Sequence, residues 1–362
     1  MKSLKQTLLY LLVTVIVHST TQAQQCFFKR SSLGSQFHYG SFLTNAPKAV
    51  YVRDSYSYFG ELYFQQPAFN ASRPNRPLTQ WGAGLFFGQT GSKKYIGKMG
   101  GAFSYIKLPV FKYRSLNSSI RLGAGLGWIE KPYNTVTNHK NVIIGSAING
   151  YINALWQNEF SVSNNVSLNA GLSFSHLSNG SSTLPNLGLN IPALSLGVRY
   201  HVTPNKSRVL PVGEGKTGKW SLDVFTSVGV KQVPWIGSKR YLVNVANIET
   251  AKNVSLRSSF GGGIFLFYDR TYKLDMSDIY PYTRDVSNAQ AGLYALYRFQ
   301  AGRVTIPVQF GVPLVNKEAN SQLFQQVGAR YAISKKWSGQ VLLKTFGGKA
   351  DLIHLGVGYK IK

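Results

Sequence analysis

The segment from His176 to Asn190, HLSNGSSTLPNLGLN, carries the residue types best suited to chemistry. An imidazole and a hydroxyl, His176 and Ser178, stand two positions apart, and an amide, Asn190, follows fourteen residues after the histidine. On an extended strand two residues rise about 6.6 Å and their side chains leave the same face, so leaning brings them toward hydrogen-bonding range. An imidazole that takes the Ser178 proton turns serine into a nucleophile at neutral pH. A third group must then hold the other ring nitrogen and fix the tautomer, and the Asn190 side-chain carbonyl can do so, as an amide does in Cys-His-Asn sites. Attack on an ester also creates an oxyanion that needs preorganised donors. The Asn179 amide and the backbone N–H groups around Gly180 are the nearest candidates, with Asn186 next.

What must position these groups is a pair of strands. Before the segment, Val166, Leu168, Ala170, Leu172 and Phe174 alternate with Ser167, Asn169, Gly171, Ser173 and Ser175. A period of two is a strand with one apolar and one polar face. His176 and Ser178 continue the apolar register. After the segment, Leu194, Leu196, Val198, Tyr200 and Val202 alternate with Ser195, Gly197, Arg199 and His201, and Asn190 shares their register across a disturbance at Pro192. A hairpin with three reactive polar groups on its greasy side makes sense if that side faces lipid.

The rest of the composition fits a membrane. Lys2 and Lys5 precede an apolar run from Leu8 to Val17, and Thr21-Gln22-Ala23 offers a small-residue cleavage site, so residues 1–23 read as a secretory signal peptide. No later run approaches the ~20 consecutive apolar residues of a spanning helix. With 36 Gly, 21 Tyr, 21 Phe and only 15% charged residues, many short alternating segments point to an outer-membrane barrel over a soluble sandwich. The net charge is +27, and removal of Lys2 and Lys5 leaves +25. An exported chain does not meet nucleic acid. Its basic residues either attract anionic lipid headgroups, the phosphates of lipopolysaccharide included, or simply decorate solvated turns. The lone Cys26 excludes a disulfide framework.

Alternating segments recur from Gln36 to Val202, enough for eight strands of roughly nine residues, the length a tilted strand needs to cross a bilayer. The segment from Ile148 is the clearest: Ile148, Ile152, Ala154 and Trp156 face one way, and Asn149, Asn153, Gln157 and Glu159 the other. Residues 24–203 are thus one set of barrel strands holding the hairpin. Residues 204–218, with Pro204 and Pro211, read as a connector, and residues 219–362 as a second set of six to eight strands. Strand ends on one side of the membrane require an even total. The preferred expectation is an all-β transmembrane antiparallel barrel of 14–16 strands, with two tandem eight-stranded barrels as the alternative. Alternating strand direction places the hairpin at the outer leaflet.

The motif resembles a known family. H-x-S-N followed by P-N ten residues after the histidine is similar to the lipid A 3-O-deacylases, outer-membrane barrels that cleave acyl esters from lipopolysaccharide. The segments FHYGSFLTNAP, SIRLGAGLGWIEKPY, NVIIGSAINGYI and FSHLSNGSSTLPNLGLNIPALSLGVRY read like its acyloxyacyl hydrolase branch and cover about residues 36–202. LKTFGGKADLIHLGVGYKI looks like an extension found in longer relatives. The resemblance implies that His176 and Ser178 are catalytic and that Asn179 and Asn186 are auxiliary. The family's third member, a glutamate, falls at Asn190, a departure that weakens stabilisation of the imidazolium. The outer-membrane phospholipase A family, however, uses H-x-S-N-G with an asparagine at this spacing, which His176, Ser178, Asn179, Gly180 and Asn190 fit. That family also depends on calcium and dimerisation; no ligand set for calcium stands out here, and a homodimer stays open.

The expectation is therefore an esterase without cofactor or metal, acting in the bacterial outer membrane on lipopolysaccharide (lipid A) or, alternatively, on phospholipid. A non-catalytic barrel or pore is the reading from another class.

Overall fold

A computed structural model of the chain describes residues 31–44, 47–67, 79–202, 218–233, 239–255, 257–273, 287–301, 303–316, 322–347 and 349–362. The segment expected as a signal peptide, Cys26, and all of the expected connector except its last residue lie outside the described residues. Sixteen strands follow in order. The first eight are β1 (Ser32–Gly40), β2 (Ser57–Pro67), β3 (Gln80–Thr90), β4 (Lys98–Tyr113), β5 (Leu116–Ile129), β6 (Ile148–Ser161), β7 (Val166–Ser178) and β8 (Leu189–His201). The second eight are β9 (Trp220–Gln232), β10 (Arg240–Asn253), β11 (Ser258–Asp269), β12 (Ala289–Ala301), β13 (Val304–Val315), β14 (Phe324–Ala332), β15 (Trp337–Phe346) and β16 (Lys349–Lys360).

The strand total falls within the expected range, but the single continuous barrel gives way to the tandem alternative. β8 turns back onto β1, with Leu194 opposite Tyr39 and Val198 opposite Ser35. β16 likewise closes on β9, with His354 opposite Gly229. Two closed eight-stranded antiparallel barrels result. Closure leaves no edge whose N–H and C=O groups would face hydrocarbon, the condition for a sheet to cross a bilayer. β4 carries Pro109 without breaking: a register shift between Pro109 and Phe111 absorbs the residue that cannot donate to the ladder.

Alternation sorts the side chains as a membrane barrel requires. On β7, Leu168, Leu172 and Phe174 are exposed on the outside, whereas Ser167, Asn169, Ser173 and Ser175 are buried inside. On β6, Asn153, Gln157 and Glu159 are buried inside, with Ile152 and Trp156 outside.

The interiors are filled by charge networks. In the first barrel Arg121 donates to both oxygens of Glu61 at 2.5 and 2.7 Å and to Asn153 Oδ1 at 3.0 Å. His38 stands between Glu61 Oε2, 3.3 Å away, and Ser173 Oγ, 3.0 Å away. Nearer the chain-entry end, Glu159 joins Lys107 at 3.0 Å and also Arg199. Toward the hairpin end, Phe42, Phe59, Phe86, Met99 and Ile129 are buried as an apolar plug, and the Phe86 and Tyr151 rings stack 4.1 Å apart. In the second barrel Glu249 receives Arg298 and Arg330 and also Tyr294 Oη at 2.9 Å. Side chains meeting across the lumen in this way argue against a conducting pore.

A charge buried this deeply tolerates loss of its partner poorly. Arg121→Met should lower stability by about 3–5 kcal/mol, while the double variant Arg121→Met with Glu61→Leu should recover much of that loss. The urea midpoint of the compact, heat-modifiable band on gels reads both.

Candidate active site

The hairpin register explains the central contact. β7 and β8 pair so that His176 lies directly opposite Asn190, and directly opposed side chains on one face are nearest neighbours in an antiparallel sheet. His176 Nδ1 and Asn190 Oδ1 are 2.7 Å apart. An amide oxygen only accepts, so this geometry selects the tautomer with hydrogen on Nδ1 and a free lone pair on Nε2. Both residues sit in the outward register of their strands, as the alternation predicts.

Ser178 keeps the same outward register, two residues along β7, opposite Gly150 of β6. Its surroundings differ from the lipid-facing expectation: it is only 4% exposed. No hydrogen bond joins the Ser178 hydroxyl to the imidazole among the described residues. The structure thus brings His176 to Asn190 and leaves Ser178 beside them.

The residues between the strands are held firmly. The Asn179 backbone N–H donates to Asn186 Oδ1 at 3.1 Å. Asn179 Nδ2 donates to Ser146 Oγ and to Thr183 O, each at 2.8 Å, which uses both of its hydrogens. Asn186 is the reverse case, for its Nδ2 is buried with no partner. Of the two side-chain amides offered as oxyanion donors by the sequence, only Asn186 has hydrogens to spare. Gly180 provides the tight turn after Ser178, at φ +61°. The β5–β6 connection buttresses the far side, where the backbone N–H groups of Leu187 and Gly188 both reach Ile143 O.

Two features carried no signal in the sequence. Gly188 has φ +76°, and a Cβ there would stand 2.6 Å from His176 Cε1; the Cε1 edge of the ring points at the glycine. The second barrel also grips the hairpin loop. Gln232 N–H donates to Ser181 O at 2.8 Å, and Gln232 Oε1 accepts from Leu184 N–H at 2.8 Å. Ser181 Oγ donates to Ala350 O at 2.8 Å, and Arg240 donates to Thr183 Oγ1 at 2.9 Å. Residues 48 to 169 positions apart do not announce such contacts through period or motif, although the positive φ of Ser181, +65°, marks a loop held from outside.

Compared with known proteins, residues 58–199 match the family described as lipid A 3-O-deacylase. Residues 220–362 match the family described as acyloxyacyl hydrolase, C-terminal domain. No curated protein sequence matches the chain. Among solved structures, Neisserial surface protein A is similar at 12% identity and a TM-score of 0.33, over 47% of this chain and 96% of that one. A triple mutant of Rhodopseudomonas blastica porin is similar at 8% identity and a TM-score of 0.17, over 91% of this chain and 99% of that one.

The glycine against the ring gives a direct test of the geometry. Gly188→Ala should push His176 off Asn190 while leaving both barrels folded. If His176 activates Ser178, labelling of that serine by an alkyl fluorophosphonate should slow on the order of 10²-fold, the effect of misplacing an activating group by about 1 Å.

Proposed function

The chain belongs to the lipid A 3-O-deacylase family, and we propose that it is an outer-membrane serine esterase hydrolysing an acyl ester of lipid A. The observation that carries the reading is the 2.7 Å contact between His176 Nδ1 and Asn190 Oδ1 on the outward face of the hairpin. A structural pair would serve equally well inside the barrel; on the outside, next to a serine, it leaves Nε2 as a base toward the acyl layer.

In this mechanism Ser178 Oγ attacks the ester carbonyl as its proton passes to His176 Nε2. Asn190 Oδ1 accepts the Nδ1 hydrogen throughout and keeps the ring in place. The tetrahedral oxyanion accepts from Asn186 Nδ2. Collapse breaks the ester C–O bond, and the imidazolium returns its proton to the departing sugar oxygen, leaving an acyl-serine. Water then attacks the acyl carbonyl, gives a proton to Nε2, and the fatty acid leaves as Ser178 recovers its hydrogen. A neutral amide in place of a carboxylate stabilises the imidazolium less, so a slower enzyme is expected than one with an acid at this position.

One observation favours a second reading, a phospholipase A acting on glycerophospholipid: the orienting group is an amide at the spacing which that family uses. Lipid analysis separates the two. Membranes carrying the wild-type chain should lose an acyl chain from lipid A, visible by mass spectrometry, and Ser178→Ala membranes should not. Release of lysophospholipid without change in lipid A would replace the leading reading by the second, and unchanged lipids in both membranes would sink both.

The supporting residues have distinct signatures. Asn186→Ala should lower kcat by about 10²–10³ with little change in KM, as removal of one oxyanion donor does. Asn190→Ala should likewise act on kcat, whereas Asn190→Glu should retain or raise it. Equal turnover in wild type, Asn190→Ala and Asn190→Glu would remove Asn190 from the site.

A further inference from the structure

Ser178 is only 4% exposed although its register points out of the barrel, and a side chain of the second barrel stands against the glycines beside it. Gly150, opposite Ser178, and Gly180, just beyond it, leave the two positions flanking the serine without side chains. Ile353 of β16 occupies that space: a Cβ on Gly150 would meet Ile353 Cδ1 at 3.5 Å, and one on Gly180 would meet it at 2.7 Å. The four hydrogen bonds from Gln232, Ala350 and Arg240 fix this approach. At the opposite ends of the strands, Arg257 donates to Thr79 Oγ1 at 2.7 Å, a second tie between the barrels. Further along the same outward registers, Ile152 and Phe174 are exposed on one barrel and Leu355 on the other.

We propose that the second barrel supplies one wall of the acyl-binding subsite, and that Ile353 sets which acyl chains reach Ser178. The inference rests on the serine-esterase reading. An ester carbonyl held at Ser178 has its alkyl chain pointing toward the membrane interior, along Ile152 and Phe174. Ile353 closes the other side at the first carbons of that chain, and Leu355, two residues further along the same outward face, continues the wall. A single eight-stranded barrel would present Ser178 to bulk lipid and accept any chain that diffuses by. A two-walled cleft selects by width, which apolar contacts do at about 10–200-fold per methylene-sized change.

The test uses the full chain in detergent–phospholipid micelles with p-nitrophenyl esters of four and fourteen carbons. Ile353→Trp should lower the fourteen-to-four-carbon ratio of kcat/KM at least tenfold. Ile353→Ala should shift preference toward branched acyl groups that wild type rejects. Leu314→Trp, on the exposed wall of β13, should leave the ratio where it is. Labelling of Ser178 by short and long alkyl fluorophosphonates reads the same ratio without turnover, and Ile353→Ala serves if the tryptophan variant does not fold. Hydrolysis that depends on Ser178 but shows the wild-type ratio in both Ile353 variants overturns this inference and leaves the esterase standing. Hydrolysis that persists in Ser178→Ala overturns the esterase reading itself.

Discussion

Hydrocarbon offers no hydrogen bonds, and that constraint shapes everything else in this chain. Each sheet must close so that every main-chain donor and acceptor is paired, and it does so after eight strands. An eight-stranded barrel is narrow, so its inward side chains touch one another. Polar residues placed there by the alternation have to satisfy each other, which is why Glu61, Arg121 and His38 in one barrel, and Glu249, Arg298 and Arg330 in the other, form compact networks. The proposed site, His176, Ser178 and Asn190, lies instead in the outward register, at the rim.

The same pairing rules supply the precision such chemistry needs. His176 and Asn190 belong to neighbouring strands in register, so their separation is set by the ladder and not by a loop. The ring is then confined from a third direction by a bare glycine backbone at Gly188. The loop between the strands would be the mobile part of this arrangement, but Ser146 and Asn186 tie it from within the first barrel, while Gln232 and Ala350 tie it from the second. Ordered surroundings of this kind keep the His176–Asn190 pair in one geometry, as the proposed chemistry requires.

Much of this was legible in the sequence because a period of two is a local property. The strands, the inward placement of Asn153, Gln157 and Glu159, and the shared face of His176 and Asn190 all follow from counting residues. The partner of β8 does not. Its alternation reads the same whether it pairs forward or back to β1, so the choice between one barrel and two depends on pairings that no single segment encodes. For the same reason the approach of Ile353 to Gly150 and Gly180 left no trace: Ile353 reads as one more lipid-facing residue, and only the docking of the barrels brings it there. The exchange of importance between Asn179 and Asn186 was equally hidden, because it turns on which amide hydrogens the loop consumes.

The grip between the barrels has an evolutionary corollary. Three of its four bonds use a main-chain atom: Ser181 O with Gln232 N–H, Ala350 O, and Leu184 N–H. Contacts made by peptide groups record the shape of a loop and largely ignore the identity of its residues. Descendants of this chain can therefore diverge freely along the outer rim of the second barrel while the halves still mate, with selection concentrated on Gln232 and on the length of the adjoining turns.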